Sequence, residues 1–134
     1  MDKKAFLEKL HISADLEELR GLADYIKEHF LEQASVQQAR GQAKQEKAEA
    51  EAMLVVSGTV TGKNESQREA ALVLALAKDE AWQQADRTER DCDNRLAVLD
   101  AEIEAASRQS RAVALGIEAK TAILRYLAGE VGRE

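Results

Sequence analysis

Several residue types are scarce or absent in this chain of 134 residues. There is no proline, a single cysteine, two histidines and only 4% aromatic residues. Cys92 therefore has no partner for a disulfide within the chain, and nothing in the sequence favours an oxidising compartment. Much of the 45% hydrophobic fraction is alanine, which favours helix but buries little apolar area. These shortages exclude a wide globular core and leave room for a narrow seam between helices.

Long apolar runs are also missing. The longest, AALVLALA at residues 70–77, is far shorter than the ~20 residues that a membrane-spanning helix needs. The first residues, MDKKAFLEKLHIS, carry charges and lack the apolar core of a signal peptide. We therefore expect a cytoplasmic protein without membrane contact.

What the sequence does contain is typical of long helices. Alanine, glutamate, glutamine, arginine and leucine dominate long stretches, and 33% of the residues are charged. The net charge of −6 is shared by both halves of the chain, so neither half forms a basic arm. Length and composition predict a single all-α domain, a long antiparallel helical hairpin or coiled coil with two additional short helices.

Capping signals and glycines divide the chain into four helices. Ser13 is a predicted N-cap, and Asn64 with Gln67 three residues later has the spacing of a capping box. Asp79 is the expected N-cap of the last helix, and Gly58 follows the end of the second. The predicted elements are a short helix at 3–10, a long helix at 14–56, a loop at 57–64, a short helix at 65–78 and a long helix at 79–128.

The last helix carries the strongest pattern, a heptad repeat sustained over six heptads. Eleven of its fourteen seam positions are apolar when alanine and cysteine are counted, which argues directly for a coiled coil. The two rows of seam positions are Trp82, Glu89, Leu96, Ile103, Ser110, Ile117 and Leu124, and Ala85, Cys92, Leu99, Ala106, Val113, Lys120 and Leu127.

The second helix begins with leucines at 3-and-4 spacing and then changes character. After Phe30 we expect the heptad register to shift, as a four-residue insertion would shift it. Small residues on the new seam would let a partner helix approach closely. The predicted seam runs through Ala34, Gln38, Gly41, Gln45, Ala48, Ala52 and Val55.

The short helix at 65–78 is apolar on nearly all sides. Leucine or valine occupies four of the five positions 72–76. We therefore expect this helix to be the most buried part of the chain and to pack near the turn of the hairpin.

The segment GTVTGKN at residues 58–64 invites comparison with a phosphate-binding loop. It lies between the apolar run MLVV and a helix, and a lysine follows its second glycine. The spacing does not fit, because three residues rather than four separate Gly58 from Gly62, and Asn64 stands where the motif needs serine or threonine. We interpret the segment as a loop that ends one helix and caps the next.

No other segment indicates catalysis. Cys92 lies on the heptad seam between Asp91 and Asp93, whose carboxylates disfavour the thiolate that a nucleophile needs. His11 and His29 are distant from Cys92 in sequence, and no Glu-x-x-His pair accompanies the acidic residues, as a di-iron bundle would require. We predict no catalytic residue, no cofactor and no metal site.

Two basic stripes leave nucleic-acid binding open as an alternative function. Residues 105–129 hold four basic side chains against one acidic side chain, and a second stripe lies on the long second helix. Such stripes can contact phosphates, but they are also the ordinary surface of a coiled coil, and the chain is acidic overall. The candidate phosphate contacts are Arg40, Lys44, Lys47, Arg108, Arg111 and Arg125.

Protein–protein interaction is the favoured function. Glu89, Ser110 and Lys120 interrupt the seam of the last helix, and polar seam positions fix register and oligomeric state. Uncovered apolar side chains, Leu7, Leu10 and Ile123 among them, would dock a protein partner or a second copy, with a dimer favoured. The predicted partner or self-association seam comprises Phe30, Trp82, Leu96, Leu99, Ile103, Val113, Ile117, Leu124 and Leu127.

The run GKNE at residues 62–65 is followed by Arg68, a leucine-rich turn, Asp79–Glu80, Trp82 and a long charged helix. This pattern resembles one in small uncharacterised helical proteins of phages, prophages and bacteria. It covers about residues 58–127, and its motif is capping and packing chemistry. The resemblance implies an accessory protein, of a kind encoded near phage DNA-replication or recombination genes, and it carries no catalytic residue across.

Overall fold

The computed structural model describes residues 3–133, apart from the side chains of residues 3, 6, 7, 9 and 130–133. This described part folds into four helices without a strand: α1 (Lys3–Leu10), α2 (Ile12–Val56), α3 (Glu65–Leu76) and α4 (Glu80–Arg133). The long helices α2 and α4 pack antiparallel, which confirms the predicted all-α hairpin. By its contacts the chain divides into two compact units, unit 1 in Met1–Leu31 and Asp100–Glu134, and unit 2 in Glu32–Leu99.

The break between α1 and α2 lies at His11, and the prediction of Ser13 as N-cap is wrong. His11 has a φ of 56°, in the left-handed region that non-glycine residues rarely adopt. Its carbonyl oxygen already accepts a hydrogen bond from the Asp15 amide at 3.0 Å, so α2 begins at Ile12 and Ser13 lies inside it. The last helix also differs from its predicted bounds, since α4 continues through Gly129 to Arg133.

The three other capping residues predicted from the sequence are confirmed, although α3 ends at Leu76 and not at residue 78. Gly58, at φ 77°, follows the end of α2. The Asn64 side chain accepts a hydrogen bond from the Gln67 amide at 2.8 Å, and the Asp79 carboxylate accepts one from the Trp82 amide at 2.8 Å. Gln67 completes a variant capping box, because its side-chain oxygen accepts from the amide of Lys63, the residue before the cap, at 2.9 Å.

Gly62 lies where the loop before α3 passes close to the backbone of that helix. A Cβ atom at this position would lie 2.8 Å from the backbone nitrogen of Arg68 and 2.8 Å from Cβ of Gln67. Glycine therefore allows the loop to pass close to the first turn of α3. The glycine serves backbone packing, in agreement with the interpretation of this segment as a capping loop.

The α4 heptad repeat predicted from the sequence lies on the covered side of the helix. All fourteen seam positions are buried or half-buried, and Leu99 is fully buried. Between the seam residues, positions such as Val98 and Leu115 stay exposed. Packing of this face on α2 makes the core of each unit, with Leu99 in unit 2 and Ile103 in unit 1.

The predicted seam of α2 after Phe30 is wrong, because the heptad register does not shift. Seven-residue steps from Leu19 and Leu22 continue along the helix, and these positions are the less exposed ones. Hydrophobic periodicity does not reveal this continuous seam, because several of the residues on it are polar. The covered positions of α2 are Leu19, Leu22, Ile26, His29, Gln33, Val36, Arg40, Ala43, Lys47, Ala50 and Leu54. The predicted row is exposed instead, at Ala34, Gln38, Gly41, Gln45, Ala48, Ala52 and Val55.

The expectation that α3 is the most buried element is also wrong. Leu76 is buried, but Val73 and Leu74 are 65% and 66% exposed. A single short helix packs through one face, here Ala71, Leu72, Ala75 and Leu76, so apolar residues on its other faces remain uncovered.

Candidate interaction surfaces

A lysine-centred cluster occupies the helix seam in unit 2. Lys47 Nζ lies 2.8 Å from Asp86 Oδ1 and 3.1 Å from Glu89 Oε2, and 4.8 Å from the centre of the Trp82 ring. Asp86 also forms an ion pair with Arg90, whose Nε lies 3.1 Å from Asp86 Oδ2. The side chains of Lys47 and Asp86 are only 22% and 14% exposed. The cluster holds a cation between two carboxylates and an aromatic face.

Electrostatic interactions within this cluster favour the charged forms of Lys47 and Asp86. The hydrogen bond to Asp86 raises the pKa of Lys47 above its ordinary value, against the opposing effect of burial. The hydrogen bond from Lys47 lowers the pKa of Asp86. A general base or nucleophilic amine needs the opposite shift, so Lys47 is a structural cation.

Further polar pairs cross the seam of unit 2. Arg95 donates two hydrogen bonds to the Glu32 carboxylate, at 2.9 Å from Nε and 2.8 Å from Nη2. Arg40 pairs with Asp93, and Trp82 Nε1 donates to Glu51 Oε1 at 3.3 Å. Partly exposed ion pairs add little net stability, but charges at seam positions specify register.

Unit 1 has its own seam pairs. Lys120 Nζ lies 2.5 Å from Asp15 Oδ2, and Gln109 donates to Glu18 at 3.1 Å. His29 Nε2 lies 2.7 Å from Glu102 Oε2. These pairs follow the antiparallel arrangement of the helices: as the residue number increases along α2, the number of its partner on α4 decreases.

The six predicted phosphate contacts divide into two groups. Arg40, Lys47 and Arg108 each hold a carboxylate, belonging to Asp93, Asp86 and Glu104 respectively. In contrast, Lys44, Arg111 and Arg125 are exposed, and no described residue forms a hydrogen bond or ion pair with them. Half of the six predicted phosphate contacts are therefore neutralised by carboxylates, and the other three remain available.

The nine residues predicted for the association seam also divide. Leu99 and Ile103 are buried inside the chain's own hairpin. Phe30 is 53% exposed. Of the other named apolar residues, Leu10 is half-buried and Ile123 is exposed, whereas the Leu7 side chain lies outside the described residues. The remaining six are half-buried against α2: Trp82, Leu96, Val113, Ile117, Leu124 and Leu127.

Both units also have exposed apolar side chains that the sequence pattern does not predict. In unit 2, Met53, Val56, Val73 and Leu74 are largely exposed, and in unit 1 Leu115 and Tyr126 are. The exposure of Leu115 and Tyr126 is predictable from the sequence, because both residues fall outside the two heptad rows of α4 that face α2. Each unit thus keeps apolar surface beyond what the hairpin covers.

Cys92 is buried on the seam as a free thiol. Among residues 3–133, no three histidine, cysteine, aspartate or glutamate side chains converge as metal ligands would. Helices of this part also lack the combination of length and hydropathy that crossing a membrane requires.

No protein-family model, curated protein or solved structure matches the chain. The arrangement of its own side chains is therefore the basis for a functional proposal.

Proposed function

We propose that this chain is a non-enzymatic helical-hairpin protein that acts through protein–protein interaction, with self-association into a dimer as the favoured form. The main support for the proposal is that few large apolar side chains are fully buried, whereas many are exposed. Leu99 is the one large side chain that is fully buried among the described residues. Many others are more than half exposed, including Phe30, Val56, Val73 and Leu115.

The imbalance has a physical origin in the two-helix architecture. Two helices share one interface, so each covers only one side of the other, and any apolar residue on an outer side stays in water. Covering one leucine or phenylalanine side chain contributes about 1.5–3 kcal/mol. Association of outer faces gains this free energy, which the single chain leaves unused.

The outer side of α2 in unit 2 is suited to another helix. We define the outer row as Ala34, Gly41, Ala48 and Val55, which are seven residues apart and all exposed. A Cβ atom at Gly41 would have no atom within 4 Å, so the space beside the row is open. Seven-residue spacing is the repeat that a coiled-coil partner helix follows, and small residues let its backbone approach.

A matched pair of variants tests the outer row. Ala48→Glu places a charge on the row, whereas Ala39→Glu places the same charge on another exposed side of α2. We expect sedimentation velocity to show dimers for the wild type and for Ala39→Glu, and a shift toward monomer for Ala48→Glu. Equal behaviour of the two variants would exclude the outer row as the contact, and a monomeric wild type would remove self-association.

Nucleic-acid binding by an accessory factor of phage-type DNA replication, recombination or repair is the second candidate. Arg111 and Arg125 support it, since both are exposed and neither forms an ion pair with a described residue. Binding to labelled single- and double-stranded DNA at low salt tests it, because phosphate contacts are strongest there. Retention that is lost in the double variant Arg111→Gln/Arg125→Gln would support this function, and no retention at low salt would remove it.

A further inference from the structure

Two exposed rows of residues lie side by side on α2 in unit 2. One is the outer row, and the other, which we call the glutamine row, consists of Gln38, Gln45 and Ala52, also seven residues apart and exposed. Successive residues of the two rows alternate between three- and four-residue steps, which is the spacing of the seam positions in a coiled coil. This face of α2 therefore has the pattern of a second seam, in addition to the one that faces α4.

Charged side chains border the two rows. Lys44 and Glu51 lie on one border, one heptad apart, and Glu49 lies on the opposite border. None of the three forms an ion pair with a described residue. Glu51 accepts a hydrogen bond from Trp82 Nε1 at 3.3 Å, and Glu49 accepts one from Gln45 at 3.2 Å. The borders thus carry charges of both signs that the described chain does not neutralise.

The helix itself offers no carboxylate to Lys44. Side chains three and four residues apart are neighbours on a helix surface. Those of Lys44 are Arg40, Gly41, Lys47 and Ala48, none of which is acidic. Because Lys44 is exposed, an acidic side chain of a second molecule can reach it.

We propose that two copies of the chain associate antiparallel through this face of α2, with Lys44 of each copy paired to Glu51 of the other. The inference rests on the proposed dimer and adds its direction and its register. In an antiparallel coiled coil the matching borders of the two helices lie together, and charges on the borders set the orientation. When Gln45 faces Ala48 of the second copy, Lys44 faces Glu51, and two-fold symmetry repeats both contacts.

Neighbouring antiparallel registers bring like charges together. A shift of the second copy by one heptad in one direction places Lys44 opposite Lys44 of the second copy. The same shift in the other direction places Glu49 opposite Glu49 and Glu51 opposite Glu51. Juxtaposed like charges oppose association. Of these three registers, the proposed one is free of such repulsion along the borders.

A parallel arrangement matches the charges less well. Lys44 would then face Glu49 of the second copy, and Glu51 would face Val56. The antiparallel arrangement pairs Lys44 with Glu51 and places Gln42, whose amide is a hydrogen-bond donor, opposite Glu49. In that arrangement the face is complementary to itself, which is the property that a two-fold contact between identical chains requires.

Charge reversal tests the contact between Lys44 and Glu51. Lys44→Glu brings carboxylates together at both symmetry-related contacts, and Glu51→Lys brings ammonium groups together there. At low salt each variant alone should dimerise more weakly than the wild type, by on the order of tenfold in Kd. In an equimolar mixture of the two variants, a heterodimer has opposite charges at both contacts. Sedimentation velocity should therefore show wild-type dimerisation in the mixture.

A mixture of Lys44→Glu with Glu49→Lys is the matched control. It has opposite charges at both contacts only when the helices are parallel, so we expect it to dimerise more weakly than the wild type. Recovery in this mixture instead of the first would overturn the antiparallel arrangement and leave the dimer in place. Wild-type dimerisation of each single variant would overturn the contact between the borders. A monomeric wild type would overturn the proposed dimer itself, and this arrangement with it.

Disulfide trapping is a second measurement that leaves the border charges unchanged, whereas Glu51→Lys also removes the hydrogen bond to Trp82. Gln38 faces Val55 of the second copy in the proposed register, but the two positions are roughly 25 Å apart along one helix. A disulfide needs Cα atoms about 4.4–6.8 Å apart. Under mild oxidation, Gln38→Cys mixed with Val55→Cys should give the mixed disulfide, and neither variant alone should cross-link. The native Cys92 is buried and stays unchanged in both variants. Cross-linked dimers of each variant alone, as parallel helices would give, would overturn the proposal.

Discussion

Lys47 Nζ lies 2.8 Å from Asp86 Oδ1, on a seam position of α2 where a coiled coil ordinarily places an apolar residue. The charged end of the lysine lies over the Trp82 ring, 4.8 Å from its centre, and also reaches two carboxylates of α4. The pair makes one register of the hairpin favourable, since a shift of one helical turn would separate the charges.

Replacing Lys47 tests this relationship. Lys47→Met keeps the apolar stem and removes the charge, leaving Asp86 and Glu89 close together without their cation. We expect Tm to fall by roughly 3 °C at neutral pH and low salt. Lys44→Met is the matched control, because Lys44 is exposed and pairs with no described residue. Equal Tm values for the two variants would show that the cluster contributes nothing to stability.

The same pair predicts a pH dependence at both extremes. The pKa of Asp86 is lowered from 3.8, so its contribution is present above that pH and is lost as the pH falls through the lower folded-state pKa. The pKa of Lys47 is raised from 10.5, so its contribution is complete below that pH and is lost as the pH rises through the higher folded-state value. Thermal melts across pH should show Asp86→Asn with a smaller acid loss than the wild type. Superimposable acid limbs would argue against the pairing.

Leu99 and Leu115 form a matched pair for the core, because both are leucines of α4. Leu99 is 0% exposed and Leu115 is 65% exposed. Leu99→Ala should reduce the free energy of unfolding by about 2–5 kcal/mol, whereas Leu115→Ala should stay within about 0.5 kcal/mol. Urea denaturation followed by circular dichroism measures both. A comparable loss at Leu115 would mean that this side chain is covered in solution, as a dimer interface on α4 would cause.

Two glycines should respond to alanine in opposite directions. Gly62→Ala should destabilise the chain, because its Cβ would lie 2.8 Å from the Arg68 backbone nitrogen. Gly21→Ala should stabilise it by about 0.5–1 kcal/mol, since Gly21 is inside α2 and a Cβ there meets nothing within 4 Å. Differential scanning calorimetry of the two variants gives the signs. A stable Gly62→Ala protein would remove close packing as the reason for this glycine.

The sequence predicted α4 well because its seam is apolar at regular intervals, and apolar periodicity is readable from one chain. The seam of α2 was misplaced because His29, Arg40 and Lys47 occupy it. Their partners, Glu102, Asp93 and Asp86, lie on the other helix, and pairing across a hairpin leaves no periodic signal in a single sequence. The row of small residues on α2 is exposed and lies outside the seam.

The exposure of α3 has a similar cause. Its composition indicated burial, but composition states how much apolar surface exists and not how many neighbours are available to cover it. Val73 and Leu74 remain exposed because one short helix finds one packing face in this chain. The side chains that a partner would contact are therefore visible only once the hairpin is built.

In the proposed dimer, a second copy of the chain covers the outer row of α2, which the hairpin leaves exposed. Sedimentation equilibrium of the pure wild-type chain, from low micromolar to several hundred micromolar, measures whether this dimer forms. We predict a concentration-dependent mass that approaches twice that of one chain and that falls in Ala48→Glu but not in Ala39→Glu. A mass equal to one chain across the whole concentration range would contradict self-association.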